Sequence, residues 1–472
     1  MKISKRKFLI GVLVIAVTVL AAFSALLGDQ FALERVVPAT FVLGSIVLLF
    51  ASKTGALALF LGGTHFYFLL VSAAGAESFR EATAFYYSLV CGSFLYRILK
   101  NRSDKKSDQR GRLLLVFIAL VLWMMIEWIF RSYPAEYGLT RMSAAPFFVV
   151  APFLAGLYFN IEEDVSELSN GILWLSLSLA AITALVLIRD GISSDVQRFS
   201  PIESWNNPIS HALCLLQAPV VLLADQKPRS AAAQFLRAGV GLLCVVLAVL
   251  SGSRGPILAI SVSLITYYSF FRSGGLAKKI FVVAFFVGAM SVTYSYLPTA
   301  IRARFDANKF TTYGQISNNS YLQREDTYSA AWRLFLSNPI AGVGVGNFFY
   351  QSGTGVDYPH NFVLELLCEL GLVGACLFAV FLFVVVRGIF TVARRPKGFS
   401  QEKKYVFLLF VFAATESLAS GNIQYSGTLW FALAAACNAS LGVAQPNRAP
   451  DRVSSEIGGG IRPPRNAVRM LT

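Results

Sequence analysis

The stretch YPHNFVLELLCELGLVGACLFAVFLFVVVRGIF, residues 358–390, decides the fold class. From Phe362 to Phe390 its only charged residues are Glu365, Glu369 and Arg387. An apolar helix needs about 20 residues to cross the hydrocarbon of a bilayer. The run 361–390 is therefore too long for one straight crossing and has room for a short interfacial helix before the span. A polar knot with a histidine, His360, stands at its edge. Asn361, Glu365 and Glu369 are spaced i, i+4, i+8 and share one helix face. Carboxylates so close to hydrocarbon are costly, so they are expected to face the bundle interior, as partners of a buried arginine or of backbone.

The rest of the chain repeats this pattern. It has 472 residues, 56% of them hydrophobic and 14% charged, with a mean hydropathy of +0.60. A soluble protein of this length needs more charge to cover its surface. Apolar runs recur at 8–27, 36–52, 55–72, 83–99, 113–131, 143–160, 171–188, 207–225, 234–250, 255–271, 278–297, 361–390, 404–421 and 426–444. They imply an all-α polytopic membrane protein with about 12–14 transmembrane helices. The run Phe8–Leu27 follows Lys2, Lys5, Arg6 and Lys7 and resembles a signal peptide, but it reads as an uncleaved first span. The six cysteines all lie in apolar runs without a CxxC pair, as buried small hydrophobes do, and make no disulfide framework or metal site. His65 and His211 fall inside spans and read as internally hydrogen-bonded packing residues.

Charge sets the orientation. About 29 of the 41 Lys/Arg fall in alternate loops: the N-terminus, Lys53, Arg97–Arg112, Lys227–Arg237, Arg272–Lys279, Arg387–Lys404 and the tail after 445. The positive-inside rule puts these loops and both termini in the cytoplasm. The acidic 161–170 loop is the exception. The net charge of +15 is then mostly an orientation signal, and its spread over short loops argues against nucleic acid. Four regions follow: a first transmembrane part, 1–297; a long outer, periplasmic loop, 298–359, containing short helices; a second transmembrane part, 360–444; and a disordered, basic cytoplasmic tail, 445–472, able to touch anionic lipid.

The long loop carries LQREDTYSAAWRLFLSNP, residues 322–339, with an amphipathic helix pattern, then NPIAGVGVGNF, a Gly-rich segment read as a flexible turn. Long loops of this kind usually bind or cover a ligand. Arg198, Arg254, Arg324 and His360 all fall on the outer side, at the level of a lipid headgroup.

Three motifs on that side carry a resemblance. SRGPIL contains Arg254 followed by Leu258 after three residues. Arg324, Tyr328 and Asn338–Gly344 fit an R-x-x-x-aromatic…NP-x-x-G-x-G pattern, with Tyr328 where Trp is frequent. His360-Asn361, nine residues, then Gly371-Leu372-Val373-Gly374 fits a His-Asn…Gly-x-x-Gly signature. Together they resemble the O-antigen ligase and polymerase superfamily of bacterial envelopes, over roughly residues 190–375. The resemblance implies an inner-membrane glycosyltransferase that takes a glycan from undecaprenyl pyrophosphate. It further implies a displacement that is metal-independent, needs no cofactor and inverts the anomeric carbon.

The chemistry such a reaction needs points to the same residues. Pyrophosphate is a good leaving group whose charge must be stabilised, and the arginine fork donates to phosphate oxygens in pairs. A sugar hydroxyl is a poor nucleophile, so a base of near-neutral pKa helps. His360 is expected as that base with Arg254 and Arg324 as catalytic cations, and Arg198, Asn361 and Tyr328 as substrate-binding residues. The leading expectation is an O-antigen ligase acting on the periplasmic face with lipid A-core as acceptor. A repeat-unit polymerase with the same donor is the alternative. A polysaccharide transporter or flippase ranks below both, because the distinctive charges cluster at one face and no internal repeat is visible.

Overall fold

The computed structural model describes residues 52–62, 87–88, 90–96, 107–132, 135–191, 208–225, 230–271, 319–393 and 400–441, with single positions or short pieces between 280 and 302. Arg198, His65, the Phe8–Leu27 run, most of 298–318 and the tail lie outside them. The described elements are all helical: α1 Gly55–Gly62, α2 Ser107–Arg131, α3 Ala135–Ala145, α4 Ala151–Leu157, α5 Ile161–Asp190, α6 Pro208–Ala224, α7 Ala231–Leu250, α8 Arg254–Thr266, α9 Asn319–Ser337, α10 Asn347–Gln351, α11 Phe362–Ala393, α12 Gln401–Ala419 and α13 Gly427–Leu441. A π-helical turn, Pro146–Val150, joins α3 to α4. Among the described residues, five helical stretches are long and apolar enough to cross a membrane: Gln109–Arg131, Tyr137–Leu157, Ile161–Arg189, Ala231–Leu250 and Phe362–Thr391. The chain is an all-α polytopic membrane protein.

Local chemistry sets the helix ends. Ser230 caps α7 by accepting from Ala233 N, and Ser400 caps α12 by accepting from Lys403 N, each at 3.3 Å. In α5, Glu162, Glu163 and Asp164 stand at the positive end and Arg189 at the negative end.

Packing relies on small residues. α13 carries Ala432 and Ala434–Ala436, all fully buried, and a Cβ at Gly156 of α4 would overlap the Phe431 carbonyl. Helices in lipid gain little from the hydrophobic effect, so close backbone approach of this kind holds them together. Trp430 is the centre of the core, edge-on to Phe117, Phe153, Phe362 and Phe378 at 5.7–6.5 Å. Five cysteines are buried and free; Cys376 is exposed on α11, so the expectation that all six are buried fails there. It sits on the helix face that looks outward from the bundle. His211 is fully buried, with Nε2 3.5 Å from Thr183 Oγ1, as a packing histidine should be.

At one end of the bundle, Arg110 Nη2 donates to Asn438 Oδ1 (2.9 Å), and Asn438 Nδ2 donates to Phe159 O (2.8 Å). At the other end, residues 131–141, Arg254, 319–360 and 420–426 meet.

Candidate functional site

α11 breaks at Gly371, whose φ of 62° and ψ of −164° are non-helical. The short helix 362–370 thus precedes the span, as the length of the run required. The break frees backbone groups on both sides, and the Gly-rich turn takes them up. Val343 N donates to Cys368 O (2.8 Å) and Gly344 N to Glu369 O (3.1 Å). In return Leu372 N donates to Pro339 O (2.8 Å) and Val373 N to Ile340 O (3.2 Å). Trp123 Nε1 takes the Leu370 carbonyl at 3.0 Å. A side chain at Gly342 would overlap Glu369, and one at Gly371 would overlap the Ile340 carbonyl. The two glycine motifs are therefore two halves of one joint. Arg131 Nη1, donating to Gly342 O at 2.9 Å, and Asn347 Nδ2, donating to Arg131 O at 2.7 Å, fix it further. Against the expected flexible turn, the N–H groups of Gly342, Val343, Gly344 and Asn347 and the carbonyls of Asn338, Pro339 and Ile340 are all held by backbone bonds.

His360 lies on the chain between the two halves of this joint. Among the described residues it is the non-glycine with positive φ, 55°. Left-handed backbone is uncommon for such residues and clusters at functional sites. Asn361 Oδ1 then accepts from Val363 N and Leu364 N, both at 3.0 Å, so this side chain starts α11 as its cap. The Nδ1 of His360 is buried and makes no hydrogen bond. Burial, and then the charge of Arg324, hold its ring at about 4, below the near-neutral value expected of the base, against the pull of the Ser420 carbonyl and Asp357.

Ser420 is the meeting point. It ends α12, and Arg324 Nη2 of α9 donates to its Oγ at 3.2 Å. Gly255, next to Arg254 at the start of α8, packs so closely that a Cβ there would lie 2.9 Å from Ser420 Oγ. Arg324 and His360, from separate stretches, meet at this turn, and the backbone beside Arg254 packs against it. Tyr328 lies half-buried one turn along α9 from Arg324. Glu416, one turn back on α12, lies within electrostatic reach of Arg324 and of Tyr358. The first turn of α8 has no side-chain cap, and the hydroxyl of its neighbour Ser253 is buried without a partner. A helix start of this kind presents its N–H groups to an anion.

Beneath the turn sits Arg141 of α3, 3% exposed. Its Nη1 is 3.4 Å from Glu365 Oε1 and 3.0 Å from Gln424 Oε1, and its Nη2 donates to Asp357 O at 2.8 Å. Tyr137, Tyr358 and Tyr425 surround the guanidinium at 5.3–5.9 Å. Tyr358 in turn lies against the His360 ring, with centroids 4.4 Å apart; burial, then Glu365, pushes its phenol up to about 12. Glu365 Oε2 also accepts from Ile423 N at 2.9 Å. The expected inward-facing Glu365 thus has both kinds of partner, a buried arginine and backbone. Glu369 is buried too, and neither of its carboxylate oxygens makes a full hydrogen bond.

Sequence reasoning missed Arg141 and Ser420. A lone cation in RMSAAPFFVVAPF was the available signal for Arg141, since an ionisable residue at the edge of a span is a functional candidate. Ser420 gave none, because its role comes from its neighbours in space.

Residues 239–379 match the O-antigen ligase family. The match contains Arg254, Arg324, Tyr328, the glycine joint and His360, and so the resemblance read from those motifs holds over this segment. It supports a ligase- or polymerase-like, glycosyltransferase-type activity on polysaccharide and lipid substrates in a multi-pass membrane protein. No curated protein matches the chain.

Proposed function

We propose that the chain is an O-antigen ligase of the bacterial inner membrane, transferring a glycan from undecaprenyl pyrophosphate to a sugar hydroxyl of lipid A-core. The observation that supports this reading is the meeting of Arg324 and His360 at Ser420, with the start of α8, which bears Arg254, packed against the same turn. In this mechanism His360, neutral above about pH 5 and with Nδ1 unpartnered, takes the proton of the acceptor hydroxyl. The acceptor oxygen attacks the anomeric carbon from the face opposite the pyrophosphate. The anomeric C–O bond breaks, its electron pair leaves with undecaprenyl pyrophosphate, and the configuration inverts. Arg254 and Arg324, with the start of α8, stabilise the charge that develops on the leaving group. No step calls for a metal ion. Tyr328, Arg198 and the amide of Asn361 contact glycan or acceptor. The site faces the periplasm, with both termini in the cytoplasm, because the Lys/Arg surplus lies in the loops of the other end.

A deletion strain tests the assignment. Loss of a ligase leaves polymerised glycan on its carrier and lipid A-core bare on a lipopolysaccharide gel. Lipid A-core bearing one repeat unit would reject the ligase and move the same three residues into a polymerase.

A further inference from the structure

α9 packs on the short helix 362–370 through Ala330, Ala331 and Phe335, against Phe348 and Cys368. Its opposite face is uncovered and changes character along its length. Glu325 and Asp326 are exposed in the first half. Trp332, Leu336 and, just past the helix end, Ile340 are exposed in the second, at 47%, 59% and 69%. The positions 332, 336 and 340 continue one stripe at four-residue spacing.

The glycine joint fixes where this stripe stands relative to the membrane. The backbone of Pro339 and Ile340 is bonded to Leu372 and Val373, the first residues of the spanning half of α11. From Leu372 to the end of that span at Thr391 is about 20 residues, or about 30 Å at 1.5 Å per residue. That equals the hydrocarbon thickness of a bilayer, about 30 Å, so Leu372 sits at its edge. Leu372 itself is 47% exposed and heads an outward stripe with Val380, Phe383, Val386 and Phe390, exposed by 39–65%. Ile340, with Leu336 and Trp332 behind it on α9, is the exposed segment that this backbone pairing joins to the head of the stripe.

We infer that the second half of α9 docks on the bilayer, its Trp332–Leu336–Ile340 face inserted at the level of the glycerol and headgroups, while its acidic first half stays in water. The residue types fit this depth: a tryptophan, two aliphatics and a flanking arginine, Arg333, long enough to reach phosphate. The occupant is lipid, because the exposed apolar segment is hydrogen-bonded through its backbone to the head of the lipid-facing stripe of a spanning helix. One consequence rests on the function proposed above: α9 also bears Arg324, so docking would set that guanidinium near the depth of a carrier-lipid pyrophosphate.

The test uses the full chain in nanodiscs, with its six cysteines replaced and an environment-sensitive fluorophore on Leu336→Cys or Ile340→Cys. Asp326→Cys is the aqueous comparator and Phe383→Cys the lipid one. All four sites are exposed, so each variant should keep the thermal midpoint of the cysteine-free parent. Nitroxide lipids labelled near the headgroup should quench positions 336 and 340 at least threefold more than 326, and aqueous iodide should show the reverse order. Iodide quenching at 336 and 340 equal to that at 326 would overturn the inference. Protection of both positions from both quenchers would also overturn it, and would indicate a second copy of the chain on this face. None of these readouts depends on transferase activity.

Discussion

Replacing Arg141 by methionine tests the support of the site. The side chain is of similar length and apolar, so little volume is lost. What is removed is the 3.4 Å ion pair to Glu365, which is 0% exposed, and the bonds to Gln424 Oε1 and Asp357 O. Glu369 faces the same guanidinium. Removing one partner of a buried pair leaves a charge with no compensation, which costs about 3–5 kcal/mol. Glu365→Gln should cost less, because Arg141 keeps its carbonyl, amide and aromatic partners. The double variant R141M/E365Q should recover part of the loss, with a coupling of about 1–3 kcal/mol. Reversible unfolding in mixed micelles, read by tryptophan fluorescence, gives the four stabilities of the cycle. An R141M protein within about 1 kcal/mol of wild type would refute the reasoning, since a broken buried pair cannot be that cheap. So would a double variant whose loss is the plain sum of the single losses.

Three further outcomes follow from the geometry. Gly371→Ala should lower the thermal midpoint more than Gly353→Ala: both glycines have positive φ, but only at 371 does the new methyl overlap a carbonyl; strain alone is about 1–3 kcal/mol, and equal midpoints would contradict the joint. Histidine NMR, simplified by a total of three histidines, should place His360 at about 4, and Arg324→Gln should move it upward by removing a repelling charge. The native state then binds fewer protons than the unfolded chain between about 4 and the ordinary 6.5, so His360 makes stability fall as pH drops through that window and leaves it flat above; a wild-type midpoint near 6.5 would contradict this. Arg254→Lys should lose most transfer activity although the charge is kept, because an ammonium cannot donate as a fork; near-normal turnover would remove Arg254 from pyrophosphate binding.

Membrane class was legible in the sequence because apolar run length is set by bilayer thickness, and each run reports it locally. The break within 361–390 was legible for the same reason: the run exceeds what one span needs. The glycine motifs were visible as strings, but their meaning was not. Nothing in NPIAGVGVG says that its amides cap carbonyls freed at Gly371, since that pairing spans some thirty residues and exists only once both segments are folded. Asn361 is a similar case: its spacing puts it on the helix face of Glu365 and Glu369, but the structure commits its oxygen to capping the helix at Val363 N and Leu364 N. Arg141, the deepest cation of the site, lay in plain view as an arginine beside a span. Its partners come from 357, 365 and 424, and no local pattern joins those positions.

Arg254, Arg324 and His360 are proposed to form one transfer site around Ser420. Its most direct test is transfer in detergent from purified undecaprenyl-pyrophosphate-linked glycan to lipid A-core, with EDTA present, for wild type and His360→Ala. The account predicts glycan-bearing lipid A-core from wild type, and none from His360→Ala although that variant still binds the donor. Product from His360→Ala at the wild-type rate, or no product from the folded wild-type protein until a metal ion is restored, would contradict it.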